Sequence, residues 1–307
     1  MFADAKRIRR NKTLDKIFRY LFLGMAVLSA SFIVIIVLFI FLKGIAPFLP
    51  GYEYGQVDLI SFLTGSVYRQ DQATYGVGFI VINTLICSFL ALLLSFPLSV
   101  LTALFIAKIA PKKLGAAMQS VIELLASVPS VVFGIFASGV ITAIVRYLAS
   151  MMGISTFGGS SLLAVIILLA IMIFPTLTSM SITAIKAVDP DLESASLALG
   201  ATKTQTNFKV VLTAAKSGIF AGAILGLGRA FGEATAVSMV AGNKLFGPTI
   251  DLFDITRTLT STILTGLKET TGLDYDIRFS VGLVLIAVIF VSNWILNQVK
   301  KRIGNQV

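Results

Sequence analysis

From Tyr20 to Leu42 the chain runs twenty-three residues without one charged side chain. About 20 apolar residues cross the hydrocarbon core of a bilayer as a helix, and inside that core each backbone polar group must be satisfied within the segment. Such a run leaves few choices of fold. Five more apolar stretches follow, at Gly78–Ala107, Met118–Val145, Ser161–Ile185, Ser217–Ala241 and Ser280–Val299. Together they predict an all-α membrane protein with six transmembrane helices. No polar stretch between them is long enough to fold as a soluble domain. Only 13% of the residues are charged, where soluble domains carry about 25%. The chain then divides into a basic tail (1–19), a first transmembrane helix with an external loop (20–76), a five-helix core (77–299) and a second basic tail (300–307).

The net charge of +10 would attract phosphate backbones or lipid headgroups alike. Its distribution decides between them. Seventeen of the 25 lysines and arginines lie in the two tails and in the second-to-third and fourth-to-fifth connections. Seven lie on the opposite side, and Arg229 lies inside a span. Positive residues are retained in the cytoplasm, so both termini are expected there, and an even number of spans agrees. The charge serves insertion into lipid, and no nucleic-acid partner is expected. The first run exceeds a signal-peptide core and no small-residue cleavage site follows it, so it is read as a retained helix.

Several chemistries are excluded by what the chain lacks. It has no histidine, and its one cysteine, Cys87, lies inside an apolar run. Histidine-dependent triads, most zinc sites and an intrachain disulfide are thereby removed. Glu123 and Glu233 fall in different spans with no metal-binding cluster beside them. No Gly-x-x-x-x-Gly-Lys-Ser/Thr loop is present, so ATP has no P-loop to bind in this chain. The chain is expected to be a non-catalytic transport subunit with no cofactor of its own.

Pro97, Pro129 and Pro175 fall within three consecutive spans. Proline removes a backbone donor and bends a helix, and the freed carbonyl needs a partner in protein or in a watery cavity. Helices bent around a pathway and simple packing kinks both fit. The outer connections Gly44–Gly76 and Gly242–Phe279 are long, which suits docking as well as ordinary solvated loops.

The fourth-to-fifth connection, 186–216, is the most informative segment. Asp189 suits an N-cap and Pro190 the first helical position. Asp191 and Glu193 complement the helix dipole, and Gly200 suits the C-terminal stop. A short helix is predicted over about 190–199, with Leu192, Ala195, Ser196 and Leu199 on one small-sided face suited to a groove on another protein. Thr202-Lys203-Thr204-Gln205 reads as a capping box for a second helix carrying Phe208, Val211 and Leu212 on one face. A re-entrant packing element is the alternative.

The fifth span repeats small residues at Gly218, Gly222, Gly226, Ala230 and Ala234. That spacing lets membrane helices approach closely. Arg229 and Glu233 lie one turn apart on an adjacent strip, so they can pair. An arginine at mid-bilayer costs about 3 kcal/mol on insertion scales, which demands a partner or a water-filled pathway. Either the two form a locking ion pair, or Arg229 contacts a transported anion while Glu233 competes for it. Arginine's planar fork suits phosphate.

Three stretches carry a family resemblance. Ser194-Ala195-Ser196, Gly200 and Val210-Val211-Leu212 resemble the EAA loop of ABC importer permeases, with Ser194 where Glu is usual and Thr213 where Pro is usual. Gly228-Arg229-Ala230-Phe231-Gly232-Glu233 with Ala236-Val237-Ser238-Met239-Val240-Ala241-Gly242-Asn243 resembles the C-type permeases of phosphate-specific importers. Glu123-Leu124-Leu125-Ala126-Ser127-Val128-Pro129-Ser130 is similar to the same family. The resemblance implies the type I ABC importer (MetI-like) permease fold in a bacterial or archaeal cytoplasmic membrane. It implies phosphate taken from an external binding protein, a homologous A-type permease as heterodimer partner, and two copies of a cytoplasmic ATPase that bind ATP and Mg. Leu192, Glu193, Ser194, Ala195, Ser196, Leu199 and Gly200 would couple to that ATPase. Arg229, Glu233, Ser130 and Asn83 would line the substrate pathway. A permease for another oxyanion or small solute stays open, as does an ion-coupled secondary transporter, which would require inverted repeats that are not visible.

Overall fold

A computed structural model describes the backbone of residues 2–304 and the side chains of 14–302. The side chains of Lys6, Arg7, Arg9, Arg10 and Lys12, and those beyond Arg302, lie outside the described residues. Helix α1 covers Phe2–Ile45, and α2 covers Leu59–Thr64. A small hairpin pairs β1 (Tyr68–Arg69) with β2 (Thr74–Tyr75). Next come α3 (Gly78–Leu104), α4 (Lys112–Ser127), α5 (Ser130–Phe136), α6 (Thr142–Met151) and α7 (Leu162–Lys186). The chain continues through α8 (Pro190–Ala198), α9 (Lys203–Gln205), α10 (Leu212–Gly232), α11 (Thr235–Val240), α12 (Leu259–Leu264) and α13 (Leu273–Gly304). Among the described residues, six helical stretches are long and apolar enough to cross a membrane.

The centre of the bundle is α7, the most buried of the six, while the apolar stretch of α1 is exposed along its length. Helix α10 lies against α7 through the small-residue stripe. A Cβ at Gly218 would stand 2.5 Å from Ala184 Cβ, one at Gly222 2.9 Å from Met180 Cβ, and one at Gly226 2.7 Å from Ile173 Cγ2. Close approach therefore requires glycine at those three positions. Helix α1 touches the bundle near its outer end. Gly44 abuts Leu283 and Phe279, the Ser280 hydroxyl donates to the Gly44 carbonyl at 2.7 Å, and Lys43 pairs with Asp276 at 3.3 Å.

Two spans differ from the sequence expectation. The third does not run unbroken from Met118 to Val145. Helix α4 ends at Ser127, Val128 turns extended (φ −65°, ψ 129°), and α5 begins after Pro129. The steric demand of proline on its predecessor explains the break. The membrane-length stretch is Ser130–Met151, and Glu123 lies on the exposed surface of α4, accepting from Gln119 at 2.9 Å. The fifth span does not run to Ala241. Helix α10 stops at Gly232, Glu233 is extended (φ −75°, ψ 109°), and α11 starts two residues later. Pro97 and Pro175, by contrast, sit inside α3 and α7.

The outer connections fold onto one another. The Tyr68 amide donates to the Leu245 carbonyl at 2.8 Å, and the Gly247 amide donates to the Ser66 carbonyl at 2.7 Å. Beneath them Phe62, Tyr68, Tyr75, Phe79, Leu259 and Ile277 share an apolar cluster.

Candidate functional site

The cytoplasmic connection folds as its local sequence dictates. Asp189 Oδ1 accepts the Asp191 amide at 2.9 Å, with Pro190 opening α8. Gly200 adopts φ +86°, a conformation that suits glycine, and the Ala201 amide returns to the Ser196 carbonyl at 3.2 Å. Thr202 and Gln205 close both bonds of the capping box. The faces of α8 sort differently from expectation. Leu192, Ser194, Ala195, Leu199 and Gly200 are exposed, Leu199 at 90%. Glu193 turns inward to pair with Lys108. Ser196 also turns inward, its hydroxyl 2.9 Å from that of Thr206. Ser196 and Glu193 are thus half-buried and engaged within the chain, while Leu192, Ala195 and Leu199 are exposed.

At the other end of α10, Arg229 and Glu233 do not pair. The helix ends between them, so the one-turn spacing that would align them is lost. Half-buried Arg229 donates to Thr176 Oγ1 of α7 at 3.1 Å. No carboxylate lies within 4.0 Å of its guanidinium among the described residues. Buried Glu233 caps α11 instead, Oε1 accepting the Ala236 amide at 3.0 Å. Its backbone carbonyl accepts from Thr260 Oγ1 at 2.8 Å, so α12 rests on the break in the fifth span. Asn83 is fully buried, and its Oδ1 holds the Thr249 amide at 2.7 Å. That contact makes it a strut between α3 and the outer connection. Ser130 opens α5, half-buried. Among the described residues no hydrogen bond joins these four to one another.

The outer connection and the first turns of α13 also hold two buried cations, Arg257 and Arg278, expected from the sequence only as external charge. Arg257 is 6% exposed, lies 4.7 Å over the Tyr68 ring, and donates from Nε to Thr262 Oγ1 at 3.1 Å. Burial lowers its pKa; Tyr68 opposes that shift and neighbouring Arg278 adds to it. Burial likewise raises the Tyr68 phenol, against the pull of both arginines. Arg278 Nη1 donates to the carbonyls of Thr262 (2.9 Å), Ile263 (3.2 Å) and Thr265, closing the end of α12. The signal that marks this segment as folded is its own capping box, Thr258 with Ser261.

A family model described as binding-protein-dependent transport system inner membrane component matches residues 95–305. The chain belongs to that family. Two relatives match over most of this inner membrane component. It is 36% identical to the "Probable ABC transporter permease protein YqgH" of Bacillus subtilis, covering 92% of this chain and 90% of the relative. It is 30% identical to the "Phosphate transport system permease protein PstC" of Pasteurella multocida, covering 80% of this chain and 82% of the relative. Among solved structures, the permease resembles a bacterial alginate ABC transporter in complex with a pentasaccharide-bound periplasmic protein. The TM-score is 0.64 at 19% identity, over 92% of this chain and 95% of the other. The inward-facing methionine transporter MetNI gives a TM-score of 0.57 at 18% identity, over 73% and 94%. These likenesses fix the fold as that of the MetI-like permeases. The chain is thus the membrane-spanning permease subunit of an ABC importer, a multi-pass inner-membrane protein.

Proposed function

We propose that this permease carries inorganic phosphate, delivered by an external binding protein, inward by alternating access. The observation that carries the reading is Arg229, a half-buried guanidinium at a helix break, held by one hydroxyl and with no carboxylate beside it among the described residues. A cation left in that state favours an anion, and the guanidinium fork matches tetrahedral oxyanions. Relatives named as phosphate transport system permeases support phosphate as that anion. The permease pairs with a homologous A-type permease, and two copies of an ATPase bind ATP and Mg and take the exposed face of α8. Closure of the ATPase dimer moves α8, and the spans that close the cytoplasmic end swing with it. Ser130, beside the break at Pro129, and Glu233, beside the break after Gly232, complete the pathway, while Asn83 supports its outer end. No cofactor is needed in this chain.

Uptake of labelled phosphate into vesicles holding the complete complex tests this reading. Excess sulfate should leave uptake unchanged, and arsenate, with the same shape and charge, should compete. Equal competition by sulfate, or ATP-driven uptake of another solute in place of phosphate, would overturn the substrate assignment.

A further inference from the structure

Helix α8 grips two spans, and each grip lands on or at the start of a π-helical turn. On one side Glu193, in its first turn, pairs with Lys108, which lies in the π-helical turn Phe105–Ile109 that ends α3. Both side chains are mostly buried, at 19% and 25% exposure, and they are 85 residues apart in sequence. On the other side Ser196, one helical turn later, meets Thr206, the first residue of the π-helical turn Thr206–Val211 that leads into α10. Among the described residues, Lys108–Glu193 is the only ion pair at the cytoplasmic end. Leu192, Ala195 and Leu199 stay exposed on the adjoining face.

We infer that Glu193 and Lys108 are positioning residues that transmit the movement of α8 to α3, with Ser196 and Thr206 as the parallel link to α10. The physical argument has three parts. A partly buried ion pair resists separation, because parting it leaves a charge without its partner. A π-helical turn carries an extra residue and recurs at functional sites in helices, so it is the place where a helix end can follow a pull without unwinding the span. The apolar cluster Leu104, Ile106, Ile122, Ile185, Val188, Val211 and Ala215 ties the receiving ends of α3, α4, α7 and α10 into one block, so a displacement at Lys108 moves the block as a unit.

This inference rests on the proposed ATPase partnership, and its test separates the two. The complete complex is reconstituted in vesicles, with spin labels at positions 101 on α3 and 198 on α8. On adding ATP, the parent complex should keep the label separation constant as the two helices move together. Glu193→Gln and Lys108→Gln should each let the separation grow, and each should lower phosphate moved per ATP hydrolysed by about fivefold or more, within the range for coupled neighbouring pairs. Equal amounts of assembled complex should be recovered. The exchanged pair, Lys108→Glu with Glu193→Lys, should restore both readouts. A constant separation in both single variants would overturn the link, as would an exchanged pair no better than the worse single. A parent complex that hydrolyses ATP and keeps the separation constant but moves no phosphate would leave the link standing and refute the substrate assignment.

Discussion

The guanidinium of Arg229 on α10 donates to the hydroxyl of Thr176 on α7 at 3.1 Å. Thr176 directly follows Pro175, the proline inside α7. One hydroxyl aims the arginine without neutralising it, and under the proposed function its remaining donors take the anion. Arg229→Gln keeps a polar side chain and removes the charge. A hydrogen bond to a charged group is worth about 1.5–3 kcal/mol, so uptake at fixed external phosphate should fall by about tenfold to a hundredfold. The amount of complex recovered from the membrane should be unchanged. Normal uptake by this variant would remove Arg229 from the pathway.

Glu233 gives a different pattern. Its carboxylate caps α11, and its own carbonyl supports α12 through Thr260. Glu233→Ala should lose the cap at a cost of about 1 kcal/mol, seen as a lower melting temperature of the purified complex. Glu233→Gln keeps an oxygen acceptor and should keep most of that stability. Because Arg229 and Glu233 are not partners, changing both to Gln should not restore what Arg229→Gln loses. A double variant with full uptake would show that the two pair during the cycle.

The sequence displayed the elements whose signals are local. The spans around α3, α7 and α13 follow from apolar length, and α8 follows from Asp189, Pro190 and Gly200. The breaks at Val128–Pro129 and Gly232–Glu233 were hidden because apolar composition runs across them. Hydropathy reports where a chain is dry, and it is silent on whether a helix continues. The inward turn of Glu193 depends on Lys108, 85 residues away. No periodicity within α8 could supply that partner. Arg257 and Arg278 looked like solvated loop charge because the fold that buries them is built from two distant connections, around Tyr68 and around Thr262.

The glycine stripe of α10 should be sensitive to single methyl groups. Gly226→Ala would press Cβ to 2.7 Å from Ile173 Cγ2, and Gly218→Ala would press it to 2.5 Å from Ala184 Cβ. Overpacking of this kind costs about 1–3 kcal/mol. Both variants should lower thermal stability, and pairing Gly226→Ala with Ile173→Leu, which removes the Cγ2 methyl at near-constant volume, should recover part of the loss. Gly228 has no atom within 4 Å of a Cβ placed on it. Gly228→Ala should therefore leave stability unchanged within this chain, and an equal loss at Gly228 would refute the packing account of the stripe.

The exposed face of α8 is where the ATPase is proposed to dock. Leu192, Ala195 and Leu199 face outward, while Glu193 and Ser196 are engaged inside. Ala195 lies between the two leucines, where a partner's groove would close over it. Ala195→Asp would leave a charge unpaired in that contact, which can cost several kcal/mol. Co-purification of the ATPase should drop sharply, while the permease inserts normally and keeps its fold. Leu199→Ala removes a 90% exposed side chain and costs the isolated permease nothing in packing. Any loss of ATPase in that variant therefore reports on docking alone. Full co-purification with both variants would place the ATPase on another surface. It would leave α8 as a packing element clamped by Lys108 and Thr206.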